Sequence, residues 1–274
     1  MGNMGDITPS TGNVHASQQE AFMHSKKAIE IAIKAGKIML VNGAETYRVE
    51  ETVKRVAEAG GLSSVNVFVI PTGILLSSEI DGIPTTVLER ISSEGLDLEA
   101  IDRVNRFARL YSSGTMTPDE ALEELKILEN PPKFSKRARF FFTGLAGGFF
   151  VLLSGGNFIE FFLAYWIASF TVWIFDRLTL NFFINNIIGG FIASILGLIG
   201  VLAVNRLGGS ASLNTVIVGP LMTLVPGVAL TNGIRDLISG ELLAGSARIM
   251  EALFIAVALA FGVGLTLQLS LLLN

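Results

Sequence analysis

The charges of this chain sit almost entirely in its first half. Residues 1–139 hold 16 of the 20 Lys and Arg and 19 of the 24 Asp and Glu, so the last 135 residues share nine. An average soluble domain carries about 25% charged residues. The first half is therefore composed for water and the second for lipid. The whole-chain values, 16% charged, 50% hydrophobic and a mean hydropathy of +0.57, blend two different solvents.

That partition removes several function classes. A net charge of −4 with no clustered basic excess argues against nucleic-acid binding, which works by displacing counterions from phosphates. The absence of cysteine excludes disulfides, thiol nucleophiles and Cys-based metal sites. The first 25 residues are polar and show no apolar core of a secretory signal. No GxxxxGK[ST] loop is present, which removes a P-loop ATPase. No cofactor, no metal and no catalytic residue is expected: both histidines, His15 and His24, fall in or beside the N-terminal tail, and the carboxylate pairs Glu50-Glu51 and Glu123-Glu124 read as solvated helix faces.

Residues 1–17 lack periodicity and read as a disordered tail. Residues 18–130 read as a cytoplasmic α+β domain. Ala28, Ile31, Ala32, Ala35, Ile38 and Met39 recur at helical spacing, and Asn42-Gly43 interrupts that helix. A second helix carries Val49, Val53, Val56 and Ala57 to Gly60-Gly61. Three strands follow, around 65–70, 74–80 and 85–91, joined by Pro71-Thr72-Gly73 and by Asp81-Gly82, a strong hairpin signal. Two more helices begin at the caps Asp97 and Thr117, the latter in a Thr-Pro-Asp-Glu box. Pro131-Pro132 marks the boundary, and 131–139 form a basic juxtamembrane linker.

Residues 140–274 read as a transmembrane domain of about five helices, which makes the fold class an α-helical polytopic membrane protein with an N-terminal soluble α+β domain. A span needs about 20 apolar residues. The candidates are 139–154, 158–175, 180–204, 211–230 and 253–273, the last extended backward from Leu242. Lys133, Lys136, Arg137, Arg139, Arg177, Arg235 and Arg248 fall on one side and only Arg206 on the other. By the positive-inside rule the N-terminal domain is cytoplasmic and the C-terminus outside. Gly144, Gly147, Gly148, Gly189, Ala193 and Gly197 are small residues that let helices approach closely in lipid.

Polar residues inside these spans are the candidates for function. Asn181, Asn185 and Asn186 enter the third span together, either as interhelical glue or as lining of a path. The fourth segment, from Asn214 to Asp236, contains Pro220, Pro226, Gly219, Gly227 and Gly233. Broken backbone at membrane depth is tolerated where it is buried in protein or lines a wet cavity. A half-helix N-terminus at Pro226-Gly227 suits a carboxylate. Thr223 and Asn232 would add hydrogen bonds and Arg235 would attract an anion, while Asp236 or Glu160 would carry a proton. Arg235 and Asp236, adjacent on a helix, point about 100° apart and would need partners elsewhere.

Several stretches resemble the threonine/serine exporter family: 42–50 (Asn-Gly-Ala-Glu-Thr-Tyr-Arg-Val-Glu), the hairpin 67–81, the turn and helix 114–128, and above all Val225-Pro226-Gly227 through Asn232-Gly233-Ile234-Arg235-Asp236 to Gly240 and Gly245. The resemblance implies a soluble N-terminal region followed by spans, and proton-driven export of small amino acids across the bacterial cytoplasmic (inner) membrane. Single-chain members have about ten spans. Five spans resemble the larger subunit of a split form, whose partner is a smaller membrane protein, and split systems also imply succinate as an alternative cargo. The expected contacts are thus membrane lipid, a small carboxylate-bearing metabolite, and a smaller membrane subunit or a homo-oligomer. The rival readings are a membrane-anchored hydrolase acting through residues 20–130 and a non-transporting scaffold or sensor.

Overall fold

A computed structural model describes residues 11–91, 95–130, 135–175, 177 and 182–273. The chain divides into two compact units. One comprises residues 1–131 together with 231–248, the other 132–230 together with 249–274.

The first unit is built around α1 (Thr11–Val41), which packs against α2 (Thr46–Ala59), the strand Gly73–Ile80, α3 (Leu98–Ser112) and α4 (Pro118–Glu129). Ile31, Met39 and Leu40 of α1 are fully buried with Val49, Val53 and Val56 of α2, Val69 and Ile74 of the sheet, and Leu125 of α4. α1 begins at Thr11, so residues 11–17 of the expected tail are helical. Their sequence shows no apolar stripe, but extending an existing helix fixes one residue per added hydrogen bond and escapes the cost of nucleation. Residues 1–10 lie outside the described residues.

The three strands form an antiparallel meander, β1 (Ser63–Ile70), β2 (Gly73–Ile80) and β3 (Ile83–Arg90), in the order β1-β2-β3. Ile80 pairs with Ile83 across a two-residue turn in which Asp81 and Gly82 have φ of 51° and 78°. Positive φ at both turn residues is what Asp-Gly supplies most cheaply. The helix caps are those read from the sequence. The Asp97 carboxylate accepts from the Ala100 N–H at 3.0 Å, and Thr117 and Glu120 form a reciprocal capping box.

The second unit contains α5 (Lys136–Leu153), α6 (Phe158–Phe175), α7 (Phe182–Arg206), α8 (Leu213–Met222), and parts of α9 (Gly227–Ile238) and α10 (Leu242–Leu273). Along α6 the side chains of Phe158, Phe162, Trp166 and Phe170, each four residues apart, are all exposed. An aromatic row turned outward is stable when the solvent is lipid.

Five spans are not obtained. Among the described residues three helices are long and apolar enough to cross a membrane, within α6, α7 and α10, and a fourth arises if α8 and α9, bent by 59° at their break, count as one. The expected first span is the one that fails. α5 has 18 residues, and Lys136, Arg137 and Arg139 occupy its first turn, leaving a short apolar stretch. At 1.5 Å per residue its 14 residues from Phe140 onward reach about 21 Å, against a hydrocarbon core of about 30 Å.

Small residues decide how the helices of this unit meet. A Cβ placed on Gly219 of α8 would lie 2.1 Å from the carbonyl oxygen of Gly147 on α5, and one on Gly147 would lie 2.7 Å from the Ala168 Cβ on α6. Gly144 and Gly148 are closed in the same way by Ser169 and by the ring of Phe161. The expected packing role of Gly144, Gly147 and Gly148 is met by these contacts. Gly219, read from the sequence as part of a helix break, is the tightest contact of the set.

Candidate functional site

Two of the stretches singled out in the sequence meet in the first unit. The loop between α1 and α2, residues 42–46, is held by side chains from α9 and from the start of α10. The Asn232 amide donates to the Gly43 carbonyl at 2.8 Å, and Arg248 Nη2 donates to the Ala44 carbonyl at 2.7 Å. The Thr46 N–H donates to Asp236 Oδ1 at 3.0 Å, and Arg235 Nη1 donates to Glu45 Oε1 at 2.8 Å.

The physical reason is local. Gly43, with φ of 84°, turns the chain sharply after α1. The carbonyls and N–H groups of such a turn lack helical partners and must be met by side chains. Helical spacing then selects which residues do so: Asn232 and Asp236, four apart on α9, share the buried face, and Arg235 points away from it toward Glu45.

Asp236 and Arg248 are the deepest charged pair. Asp236 is 0% and Arg248 5% exposed, and Arg248 Nη1 lies 3.5 Å from Asp236 Oδ2. The Oδ2 atom makes no hydrogen bond, and neither does the buried Thr46 hydroxyl beside it. As expected, Arg235 and Asp236 do not pair with each other. Each finds a partner elsewhere, which is how intramembrane or interfacial charges are usually accommodated.

Glu45 sits between two guanidiniums, Arg235 at 2.8 Å and Arg48 at 3.4 Å. Burial pushes its carboxyl up, but its own backbone N–H and the two arginines outweigh that and hold it below the ordinary 4.5. A depressed folded value means that its contribution to stability is complete above the ordinary carboxylate range and is lost as pH falls through the folded value. The stability gap between the wild-type protein and Glu45→Gln, followed by thermal unfolding, is therefore constant near neutrality and narrows in acid below about pH 4.5.

Glu50 departs from its reading as a solvated carboxylate. It is half-buried and accepts the Val69 N–H at 2.8 Å. Burial raises its carboxyl, and the nearby charges of Glu241 and Asp236 add to that against the lowering effect of the Val69 bond.

The other candidates lie in the second unit. Thr223 lines a cavity of about 800 Å³ with Arg139, Phe142 and Thr143 of α5 and Val172 and Phe175 of α6. Its hydroxyl donates back to the Pro220 carbonyl at 2.7 Å. Pro226 and Gly227 form the break before α9, and the space a Cβ would occupy on Gly227 is open to 4 Å. Asn214 is exposed on the first turn of α8, and on α7 Asn185 is half-buried and Asn186 buried. Asn181 lies outside the described residues.

Glu160 is buried and both of its oxygens are used. It accepts from the Asn157 N–H at 2.9 Å and from the Ser212 N–H at 2.7 Å, which ties the α5–α6 loop to the start of α8. Among the described residues no three of His, Asp and Glu gather to hold a metal ion.

Sequence reasoning missed Glu45, Thr46 and Arg248 as members of the first cluster, and Arg139 and Thr143 as cavity residues. Arg248 did carry a signal: it stands close to the start of a long apolar helix, where a lone charge calls for a partner.

The model of the family described as "Putative threonine/serine exporter" matches residues 30–270. A protein of Mycobacterium tuberculosis named "Probable threonine/serine exporter" is 26% identical over 256 residues, covering 90% of this chain and 47% of that protein. The "Threonine/serine exporter" of Corynebacterium glutamicum is 26% identical over 257 residues, covering 90% of this chain and 52% of that protein. This chain thus spans about half the length of the curated relatives it matches. No solved structure matches it. The match takes in both halves of the chain, the 42–46 loop and the α9 residues that bind it, and the chain belongs to the threonine/serine exporter family.

Proposed function

We propose that this chain is one component of a secondary exporter that moves threonine, serine or a closely similar amino acid out of a bacterial cell in exchange for protons. The observation that carries this reading is the family match over residues 30–270. A dicarboxylate cargo has no support among the relatives, both of which are named for threonine and serine.

The cavity bounded by α5, α6 and Thr223 is the candidate substrate site. Its volume falls within the range of about 300–1,000 Å³ typical of small-molecule pockets. Phenylalanine, alanine, valine and leucine side chains make most of its wall, with Arg139, Thr143 and Thr223 as the polar groups that would orient an amino acid. The N-terminus of α9 presents its positive dipole end to a carboxylate, and the space beside Gly227 is open. Asp236 is the candidate proton carrier, because its charge is buried and one of its oxygens lacks a hydrogen bond. Protonation would loosen its hold on the Thr46 N–H and on Arg248. The N-terminal unit would face the cytoplasm by the distribution of basic residues. A smaller membrane subunit would be its partner in transport.

Threonine-loaded proteoliposomes containing this chain and that subunit test the reading. Threonine should leave faster when the outside is more acidic and protons flow inward, as should serine from vesicles loaded with serine, whereas succinate from vesicles loaded with succinate should not. No flux of either amino acid under any gradient overturns it. Gly227→Ala separates stability from transport: the open space predicts a change of no more than about 0.5 kcal/mol in stability. If α9 receives the carboxylate, crowding its first residue raises the threonine KM while the protein remains folded.

A further inference from the structure

We propose that a basic pocket at one end of α5 and α6 binds the phosphate of an anionic membrane lipid. The pocket, of about 440 Å³, is lined by Lys136, Arg137 and Phe140 of α5, Val172 and Trp173 of α6, and Arg177 just beyond it. Three cations converge there, and none of the described lining residues is acidic.

The placement of these charges does not serve the helix. Lys136 and Arg137 open α5, and no acidic residue occupies its first turn. A helix N-terminus is already positive, so cations there are unfavourable unless an anion accompanies them. Arg177 is held rather than mobile. Its guanidinium stacks on the Trp173 ring at 3.5 Å from the centroid and donates to the Trp173 carbonyl at 3.2 Å. That posture fixes the plane of the fork and leaves other N–H donors for phosphate oxygens.

The depth of the pocket selects a lipid over a soluble phosphate. Arg177 lies two residues past Phe158–Phe175, a helix long and apolar enough to cross a membrane, and the residues at the end of a span meet the headgroups. From there the exposed aromatic row of Trp173, Phe170, Trp166 and Phe162 runs down α6, a surface against which acyl chains pack. A free phosphate gains nothing from that row. Orientation by the positive-inside rule requires only that basic residues lie on one side; it does not require three of them in one pocket.

The test uses the full chain purified in a neutral detergent, with binding read by native mass spectrometry. Each Lys or Arg near a membrane surface contributes about fivefold to binding of anionic lipid, so three give a preference of the order of a hundredfold. Phosphatidylglycerol should bind with that preference over phosphatidylcholine. Lys136→Gln, Arg137→Gln and Arg177→Gln together should abolish it, and Arg177→Gln alone should reduce it about fivefold. Glycerol 3-phosphate, the soluble counterpart, should fail to compete. Equal binding of the two lipids, a preference that survives the triple variant, or competition by glycerol 3-phosphate at matched concentration each overturns the proposal. If the triple variant does not fold, an unchanged preference in Arg177→Gln overturns it. No transport is measured, so failure here leaves the exporter reading standing and the converse also holds.

Discussion

Arg248→Met destabilises the full-length protein by about 3–5 kcal/mol, the cost of leaving one member of a buried ion pair without its partner. Asp236 is fully buried, and Arg248 is the cation nearest its Oδ2 atom, at 3.5 Å. The same substitution strips the Ala44 carbonyl of its donor. Thermal unfolding in detergent is the measurement, with the light-scattering onset as a check on aggregation. Asp236→Asn is milder, because an amide oxygen still accepts from the Thr46 N–H and Arg248 keeps Ala44. Removing both charges in Arg248→Met/Asp236→Leu recovers part of the loss, since a well-packed apolar pair is often no worse than a buried ionic one. If Arg248→Met alone matches the wild type in stability, the loop 42–46 is not held as described.

Gly219→Leu is the second large effect. The first added atom, a Cβ, would lie 2.1 Å from the Gly147 carbonyl oxygen and 2.9 Å from a Val151 methyl. The obstacle is mostly backbone, which does not swing aside as a side-chain end does. Overpacking usually costs about 1–3 kcal/mol, and a leucine here stands at the top of that range or above it. Even Gly219→Ala is destabilising, a reversal of the usual gain from replacing a helical glycine. Gly227→Ala serves as the internal control, because it meets open space. Melting temperatures of the three variants should rank with Gly227→Ala near the wild type, Gly219→Ala lower and Gly219→Leu lowest. A Gly219→Ala protein as stable as the wild type would show that α5 and α8 do not touch backbone to backbone.

The charged half was readable because its elements are marked by local signals. The strands lie where β-branched residues alternate and Asp81-Gly82 turns, and Thr117 and Asp97 cap the helices that follow them. In the apolar half the same signals thin out. α5 and α6 each have 18 residues, yet only α6 is apolar enough along its whole length to span, because three cations occupy the first turn of α5. Gly219 looked like a helix breaker beside Pro220, whereas its position within α8 serves a backbone contact with α5. Glu160 accepts two backbone N–H groups that fasten loops, contacts that no side-chain pattern announces.

The candidate site divides along the same line. Asn232, Arg235 and Asp236 were conspicuous because charged and amide side chains are costly near lipid. What satisfies them was hidden, because Gly43, Ala44 and Thr46 take part through main-chain groups that no side-chain pattern advertises.

By itself the sequence determined the division into a charged half and an apolar half, the helices and hairpin of the first, and the polar residues that lipid would not tolerate alone. Tertiary structure decided that residues 231–248 belong to the same compact unit as the α1–α2 loop, some 190 positions earlier in the chain. Local sequence fixes hydrogen bonds made within a turn or two, whereas pairing across such a separation depends on which buried donors and acceptors the fold leaves facing one another.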